Sequence, residues 1–253
     1  GLIMQYAIKS AKDLQRKYRA DVARNNFGWA DKREGFVVGN RLYRANKQPV
    51  YSPASANTAQ YIHAMEPEGD LKTWKSIINS LAGDTLQPFQ YMALCGFASP
   101  LMPFTGLKGV TINLVGGESG SGKTLAGVIG MSVFGDPMET MLKQDDKLLA
   151  RFHRMGVMHN LFIMTDELTN ISIPDLSELL YQTTNGRGRS RMRSDVNQER
   201  VNSTRWDLIM GTTSNSSMRE KVAKGKVRNA GESMRLVEFQ VGNLVVPRGD
   251  ELY

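Results

Sequence analysis

Cysteine, histidine and long apolar runs are scarce in this chain of 253 residues. The single cysteine, Cys95, cannot form an internal disulfide and stands in an apolar stretch, which predicts a buried thiol in a reducing, cytoplasmic setting. The histidines, His63, His153 and His159, have no cysteine or carboxylate at ligand spacing, so they predict no metal centre. No run approaches the roughly 20 apolar residues of a membrane span. We therefore expect no membrane partner.

Acidic residues are too few to balance the basic ones, and the imbalance is local. The chain has 32 Lys or Arg and 25 Asp or Glu, a formal net charge of +7. Residues 187–228 hold 11 of the basic and 4 of the acidic residues, which accounts for the whole surplus. The rest of the chain is neutral. A basic surplus confined to one segment indicates a polyanion partner.

The amino-terminal segment lacks a signal-peptide pattern because charged residues arrive too early. We expect the chain to be part of a longer protein. Residues 1–70 are predicted to form a small α+β or helical accessory module. Within it, residues 5–24 favour a helix, residues 36–43 two short strands joined by a Gly-Asn turn, and residues 57–65 a second helix.

Residues 71–253 alternate between helices and strands, which predicts an α/β domain with a mainly parallel central sheet. The predicted strands are residues 110–115, 161–164, 206–212 and 236–241. The predicted helices are residues 71–81, 88–102, 124–134, 145–155 and 173–183. Because ligands bind at the carboxyl ends of parallel strands, residues that follow the strands are the candidates for a site.

A glycine-rich loop follows the first of these strands and precedes a helix. Backbone N–H groups at a helix N-terminus attract phosphates, and glycines remove side-chain bulk from their path. We therefore predict a nucleotide-binding P-loop that uses ATP and Mg²⁺, with Lys123 reaching the β- and γ-phosphates and the Thr124 hydroxyl as a metal ligand. A glycine-rich turn that contains Lys-Thr by chance is the alternative. The predicted nucleotide contacts are Gly117, Glu118, Ser119, Gly120, Ser121, Gly122, Lys123, Thr124 and Leu125.

Polar residues also follow the next two strands. Asp166 is predicted to hold Mg²⁺ through its waters, and Glu167 to orient and polarise the attacking water. Asn215 is predicted to hydrogen-bond the same water beside the γ-phosphate, with Thr213 and Ser214 as weaker candidates. The alternatives are a solvated acidic turn for the first pair, and a helix cap or turn for the asparagine.

These three elements, in this order, resemble superfamily 3 helicases, the AAA+-related ring ATPases of viruses, phages and mobile elements. The family's third motif is an apolar strand ending in Ser-Asn, as residues 208–215 do here. Residues 159–170 and 185–189 also look like the helicase portion of phage primase-helicases. The resemblance covers about residues 111–241 and implies a P-loop NTPase of AAA+-like fold, located inside the host cell if phage-encoded.

The same resemblance implies DNA contacts and an arginine finger. The family places a basic hairpin between the acidic pair and the asparagine, and this interval corresponds to residues 186–204. The finger would be Arg235, just before the last strand, with Arg228 as its competitor. A solvated loop, and a surface arginine paired with Glu232 or Glu238, are the alternatives. The implied DNA contacts are Arg187, Arg189, Arg191 and Arg193.

The activity implied is that of an ATP-dependent replicative DNA helicase. The family assembles as rings, here expected to be hexameric, which travel on single-stranded DNA beside a fused or separate primase or polymerase. Two alternatives stay open: a packaging-type translocase that does not unwind DNA, and a regulatory or assembly ATPase in which the nucleotide is a switch. Glu167 argues against a pure switch, which does not need a water-orienting carboxylate.

Overall fold

The computed structural model of the chain describes residues 1–17, 23–81, 86–117, 120–188, 191–192, 199–200, 204–225 and 235–242. Its helices there are α1 (Leu2–Lys17), α2 (Leu71–Ser80), α3 (Gln87–Ala98), α4 (Lys123–Met131), α5 (Pro137–Thr140), α6 (Leu148–Met158), α7 (Ile173–Asn185) and α8 (Met218–Ala223). The strands are β1 (Gly28–Trp29), β2 (Phe36–Val38), β3 (Arg41–Arg44), β4 (Lys47–Tyr51), β5 (Gly109–Val115), β6 (Ile163–Thr165), β7 (Arg191–Met192), β8 (Glu199–Arg200), β9 (Leu208–Ser214) and β10 (Leu236–Gln240). Among the helices so described, none has the length and apolar character that crossing a membrane requires.

The first four strands form an antiparallel sheet in the order β1-β2-β3-β4. The hairpin predicted at residues 36–43 is confirmed, because Phe36 pairs with Tyr43 around a turn at Gly39, whose φ is +58°. The sequence does not predict β4, since Pro49 looks like a break. Strand β4 is an exposed edge strand, which is where a sheet tolerates a proline without an N–H.

The helix predicted at residues 57–65 is wrong. The structure has two short 3₁₀ turns there, Ala59–Tyr61 and His63–Met65. The Thr58 hydroxyl accepts the backbone N–H of Ser55 at 3.0 Å. Local bonds of this kind give the backbone an alternative to the helical path.

The helix predicted at residues 88–102 ends early. Helix α3 gives way to a 3₁₀ segment, Ser99–Phe104, in which Pro100 and Pro103 lack the N–H that an α-helix needs. Cys95 is buried in α3 as predicted. Its burial raises the pKa of the thiol to about 12.

The larger sheet is parallel throughout and has the order β10-β5-β9-β6. The prediction of a mixed α/β chain with a parallel sheet is therefore confirmed. Strand β9 pairs with β5 along its whole length, from Leu208 opposite Gly109 to Ser214 opposite Val115. All seven residues of β9 are buried, as expected for a parallel strand with helices on both faces.

Alternation along β9 divides the core between the two faces of this sheet. Leu208 and Met210 belong to one apolar cluster together with Leu179 of α7. Ile209 belongs to the other, together with Met92 of α3. Because successive side chains of a strand point to opposite faces, β9 contributes residues to the apolar clusters on both sides of the sheet.

The small antiparallel sheet shares the first of these clusters. Phe27, Val37 and Leu42 are buried in the same cluster as Phe152 and Met155 of α6. The apolar face of the amino-terminal sheet is thus continuous with the core of the α/β part. The domain boundary near residue 70 stays a prediction.

Helices α3 and α4 approach closely at two glycines. A Cβ atom built on Gly96 would overlap the carbonyl oxygen of Gly130. One built on Gly130 would lie 2.6 Å from the carbonyl oxygen of Met92 and 2.8 Å from the ring of Phe162. Since backbone cannot turn aside as a side chain can, these glycines set the distance at which α4 packs against α3.

We expect Gly130→Ala to lower the free energy of unfolding. Overpacking costs about 1–3 kcal/mol, which exceeds the gain of about 1 kcal/mol in helix propensity. Urea unfolding followed by circular dichroism measures the change. Gly242→Ala is the control, because an added methyl group there meets nothing within 4 Å. Equal midpoints for both variants would contradict the close approach of the helices.

Candidate active site

The predicted site residues follow three neighbouring strands of the parallel sheet. The glycine-rich loop follows β5, Asp166 and Glu167 follow β6, and Asn215 follows β9. Because these strands are parallel, all three segments lie at the carboxyl edge of the sheet. Side-chain hydrogen bonds then join Thr124 to Asp166, and Asn215 to Glu167.

The glycine-rich loop ends in two left-handed glycines before α4 begins. Gly120 has φ +82° and Gly122 has φ +79°, a conformation that glycine adopts without steric cost. A Cβ atom on Gly122 would lie 2.8 Å from the ring of Phe89, whereas one on Gly117 or Gly120 would meet no atom within 4 Å. The loop is therefore packed against α3 at its end and borders open space at its middle. Leu125, in the first turn of α4, is 47% exposed.

Lys123 is the first residue of α4, and its side chain folds back over the loop. The Nζ atom donates to the carbonyl of Gly116 at 2.8 Å and to the hydroxyl of Ser121 at 3.1 Å. The residue is only 7% exposed, and a buried ammonium group needs such partners. These bonds hold a positive charge against the loop. The predicted contacts Glu118 and Ser119 lie outside the described residues.

The Asp166 carboxylate receives hydrogen bonds from two threonines. Its Oδ1 atom accepts the Thr124 hydroxyl at 3.0 Å and the Thr213 hydroxyl at 2.6 Å. The Thr213 hydroxyl also accepts the backbone N–H of Glu167 at 2.7 Å. Thr213, which the sequence ranks below Asn215, therefore connects both acidic residues to β9.

Glu167 and Asn215, predicted to act on the same water, are in contact. The Asn215 amide nitrogen donates to the Glu167 carboxylate at 3.2 Å, and the Thr169 N–H donates to its other oxygen at 3.3 Å. The Thr169 hydroxyl in turn accepts the Asn215 N–H at 2.8 Å. Glu167 has φ +53°, which is strained for a residue with a side chain. These bonds hold the strained conformation in place.

A cleft of about 590 Å³ opens beside Glu167. Arg151 lines it, is 3% exposed, and donates to the carbonyls of Lys143, Gln144 and Asp146 at 2.8–3.0 Å. Burial lowers the pKa of Arg151, and nearby carboxylates oppose that shift. The sequence does not predict this residue, which fixes the segment before α6 next to the candidate site.

A buried asparagine connects three strands beneath the site. Asn113 in the middle of β5 is fully buried, and its amide donates to the Ser214 hydroxyl at 2.8 Å and to the Glu238 carboxylate at 2.9 Å. Its carbonyl accepts the Thr212 hydroxyl at 3.0 Å. An asparagine within an otherwise apolar strand is the sequence signal for such a network, since buried polar groups need partners.

Glu238 extends this network to the beginning of α8. Its carboxylate accepts the Ser217 hydroxyl at 2.6 Å and the Met218 N–H at 2.8 Å. It thereby binds both the Asn113 amide and the first turn of α8. The turn between them carries Asn215, so its position is fixed from both sides.

Arg235 lies away from this site. It precedes β10, whose first residue, Leu236, pairs with Thr111 near the beginning of β5, so it lies toward the amino edge of the sheet. Its guanidinium stands 4.9 Å from the centre of the Tyr181 ring, a cation–π distance. Glu238, one partner proposed for it, is bound to other groups. Arg228 and Glu232 lie outside the described residues.

The basic segment has an antiparallel backbone where it is described. Arg187 pairs with Arg205, and β7 pairs with β8. The segment leaves the end of α7 at Gly186, with φ +68°, and returns to the beginning of β9, so its base lies at the amino edge of the sheet. For Arg191 the backbone alone is described. Arg189 and Arg193 lie outside the described residues.

Thr213→Val tests the connection between the acidic residues and β9. The substitution keeps the shape of the side chain but leaves the Glu167 N–H and the Asp166 oxygen without this partner. We expect the free energy of unfolding to fall by about 1–3 kcal/mol. Thr213→Ser, which keeps the hydroxyl and loses a methyl worth about 0.8 kcal/mol, is the control. Denaturant unfolding compares them, and a valine variant as stable as the serine variant would contradict this role.

Comparisons with known proteins identify the family and the fold. The solved structure of SCCmec type IV Cch, an active helicase, superposes with a TM-score of 0.63 at 17% identity over 87% of this chain and 40% of that one. The chain thus spans two fifths of the length of that helicase and shares its fold. Crystal structures of NtrX from Brucella abortus with ADP and with ATP give TM-scores of 0.36 and 0.37 at 12% and 11% identity. They cover 67% of this chain and 39% and 41% of theirs, and scores this low support no conclusion about the fold or function of this chain.

No curated protein matches the chain. The family model that matches residues 3–203 is described as a domain of unknown function, DUF927, and the chain belongs to this family.

Proposed function

We propose that this chain is the P-loop ATPase unit of a superfamily 3 helicase, which moves along single-stranded DNA by hydrolysing ATP. The observation that carries the proposal is the meeting of four side chains at one edge of the parallel sheet. The Lys123 side chain folds over the glycine-rich loop, Asp166 bonds Thr124, and Glu167 contacts Asn215. The fold shared with an active helicase supports the proposal.

The glycine-rich loop fits a triphosphate. Gly117 and Gly120 border open space where other residues would place side chains. Helix α4 begins directly after the loop, and the first amides of a helix attract anions. Lys123 adds a positive charge at the same place. When bound, ATP supplies the γ-phosphoryl group that hydrolysis removes.

The Thr124 hydroxyl and the Asp166 carboxylate fit Mg²⁺. The two oxygens lie 3.0 Å apart, and both are the hard donors that this ion prefers. We assign Thr124 as a direct ligand and Asp166 as the residue that holds the metal-bound water. The bond from Thr213 orients the Asp166 carboxylate for that role.

Glu167 is assigned to the attacking water. Its carboxylate oxygens accept hydrogen bonds from Thr169 and Asn215, so the group is held as an acceptor. A positioned carboxylate of this kind takes a proton from water as it attacks. The Asn215 amide would bind the same water. A nucleotide switch needs neither arrangement, which favours an enzyme that turns over.

We assign the amino edge of the sheet to contacts with a neighbouring subunit and with single-stranded DNA. A residue that completes the active site of a neighbouring subunit must lie away from the site of its own subunit, as Arg235 does. We therefore keep it as the proposed arginine finger of a hexameric ring. The basic hairpin at residues 186–204 is the proposed contact with single-stranded DNA, made through phosphates. A fused or separate primase or polymerase is the proposed further partner.

Lys123→Ala and Glu167→Gln test the hydrolytic site. We expect Glu167→Gln to lower the ATPase rate at least about 100-fold, the usual scale for a general acid–base group. We expect a loss of about 100-fold for Lys123→Ala as well, the usual scale for removing one group that stabilises developing charge. Glu167→Gln should still bind a fluorescent ATP analogue, whereas Lys123→Ala should bind it weakly because a charge on the phosphates is lost. Lys72→Ala and Glu139→Gln change exposed residues elsewhere and serve as controls. Wild-type rates in both test variants would exclude this site.

Replacing Arg187, Arg189, Arg191 and Arg193 together with alanine tests the DNA contact. We expect ATP hydrolysis by the wild type to rise with single-stranded DNA, and this rise to be lost in the variant. An Arg41→Ala/Arg44→Ala variant on β3 should keep it. Strand separation on a forked duplex measures unwinding, and stimulation without separation would indicate a packaging-type translocase. Hydrolysis indifferent to DNA at every salt concentration would contradict the motor and favour the switch.

A further inference from the structure

A second cavity, of about 470 Å³, is lined by none of the described residues of the glycine-rich loop. Its walls come from three places: the amino-terminal sheet, the end of α6 and the base of the basic hairpin. The residues just before β6 and β9, Asn160 and Asp207, line it, so it lies at the amino edge of the parallel sheet. The hydrolytic site described above does not use it.

The lining of this cavity is cationic. Arg24, Arg33 and Arg205 line it, and Asp207 is the one carboxylate among its described lining residues. Asp207 forms an ion pair with Lys108 at 3.1 Å, which offsets its charge. The cavity therefore presents an excess of positive charge to a ligand.

The walls are held in place by directed bonds. Arg33 donates to the carbonyl of Pro103 at 2.8 Å, and its guanidinium stands 4.6 Å from the centre of the Phe104 ring. Asn160 is fully buried. Its side chain accepts the backbone N–H of Trp29 at 2.9 Å and donates to the carbonyl of Asp207 at 3.0 Å. Asn160 thus ties the amino-terminal sheet to the residue that leads into β9.

The carboxyl end of α6 repels an anion less than a helix end with unpaired carbonyls would. The carbonyls of the last turn carry partial negative charge and repel anions unless they are paired. Three of them are paired here. The acceptors are the carbonyls of Met155, Val157 and Met158, which receive the N–H groups of His159, Phe27 and Leu161 at 2.8–3.0 Å.

The cavity is continuous with the basic hairpin through Arg205. This residue lines the cavity and also pairs with Arg187 at the base of the hairpin. Its carbonyl lies 2.8 Å from the Nδ1 atom of His159, which fixes the hairpin base to the α6 turn. A chain of phosphates that follows the hairpin would therefore reach the cavity.

We propose that this cavity binds the phosphodiester backbone of single-stranded DNA where the strand passes the hairpin base. The inference rests on the proposed function and adds Arg33 and Arg205 as phosphate contacts. The Trp29 indole is engaged with Phe36, Phe104 and the carbonyl of Pro100, so it is used in packing. The site should therefore follow the backbone and show little base preference.

Arg33→Ala and Arg205→Ala, made singly in the full chain, test the inference. Fluorescence anisotropy with a labelled thymidine 20-mer gives the affinity at several NaCl concentrations. For each lost phosphate contact we expect the slope of log affinity against log salt to become shallower by about 0.7. Arg41→Ala, an equal charge change on the exposed face of β3, should keep the wild-type slope. Slopes for both test variants equal to that of Arg41→Ala would overturn the proposal.

Two further measurements separate the possible outcomes. Arg33→Ala also loses a hydrogen bond within the protein, so circular dichroism checks that this variant folds. Because Arg205 is exposed, the salt slope of Arg205→Ala gives an independent measurement of the phosphate contact. If replacing the four hairpin arginines abolishes binding while the cavity variants bind as wild type, this inference fails and the proposed function stands. If the wild type does not bind the oligonucleotide, both fail. Thymidine monophosphate and an unlabelled thymidine 20-mer are then compared as competitors at the same phosphate concentration. If the monophosphate displaces the labelled 20-mer as well as the unlabelled 20-mer does, the cavity is a free-nucleotide site and the proposal is overturned.

Discussion

The parallel pairing of β9 between β5 and β6 is the constraint on which the candidate site depends. Adjacent strands lie about 4.8 Å apart, so β5 and β6 stand about 10 Å apart across β9. The acidic pair after β6 is held across that distance by Thr213 of β9, whose one hydroxyl bonds both Asp166 and the backbone of Glu167. Asp166 then contacts Thr124, which follows the loop after β5. A different strand order would leave the acidic residues without this support.

The polar network beneath the site fixes the register of the sheet. Apolar parallel strands pack by shape, and a slip of one residue would turn every side chain to the other face. Asn113 cannot accept such a slip, because an unpaired buried amide costs about 1–3 kcal/mol. Its bonds to Thr212, Ser214 and Glu238 are satisfied in one register of β9, β5 and β10. The same bonds hold the turn that carries Asn215.

Much of the α/β part follows from local sequence signals. The strand, glycine-rich loop and helix around Lys123 are consecutive, and parallel strands bring their carboxyl ends together, so the residues that meet at this edge could be named in advance. The roles of Thr213 and Asn113 could not be predicted, because each is set by partners about 50 to 125 residues away along the chain. Strand β4 was not predicted because Pro49 indicates a break, whereas an edge strand such as β4 tolerates a proline. The turns at residues 57–65 depend on local side-chain bonds that apolar spacing does not reveal.

The sheet separates the candidate active site from the proposed partner contacts by the length of its strands. A strand of seven residues such as β9 spans about 23 Å, and buried hydrogen-bonded strands do not compress. A change at the carboxyl edge must therefore reach the amino edge as a movement of whole elements. Strand β10 is suited to this, since Glu238 belongs to the network near Asn215 and Arg235 stands at its beginning beside Tyr181. A change in the turn after β9 would act on α8 and β10 together, because Glu238 binds both the strand network and the first turn of α8.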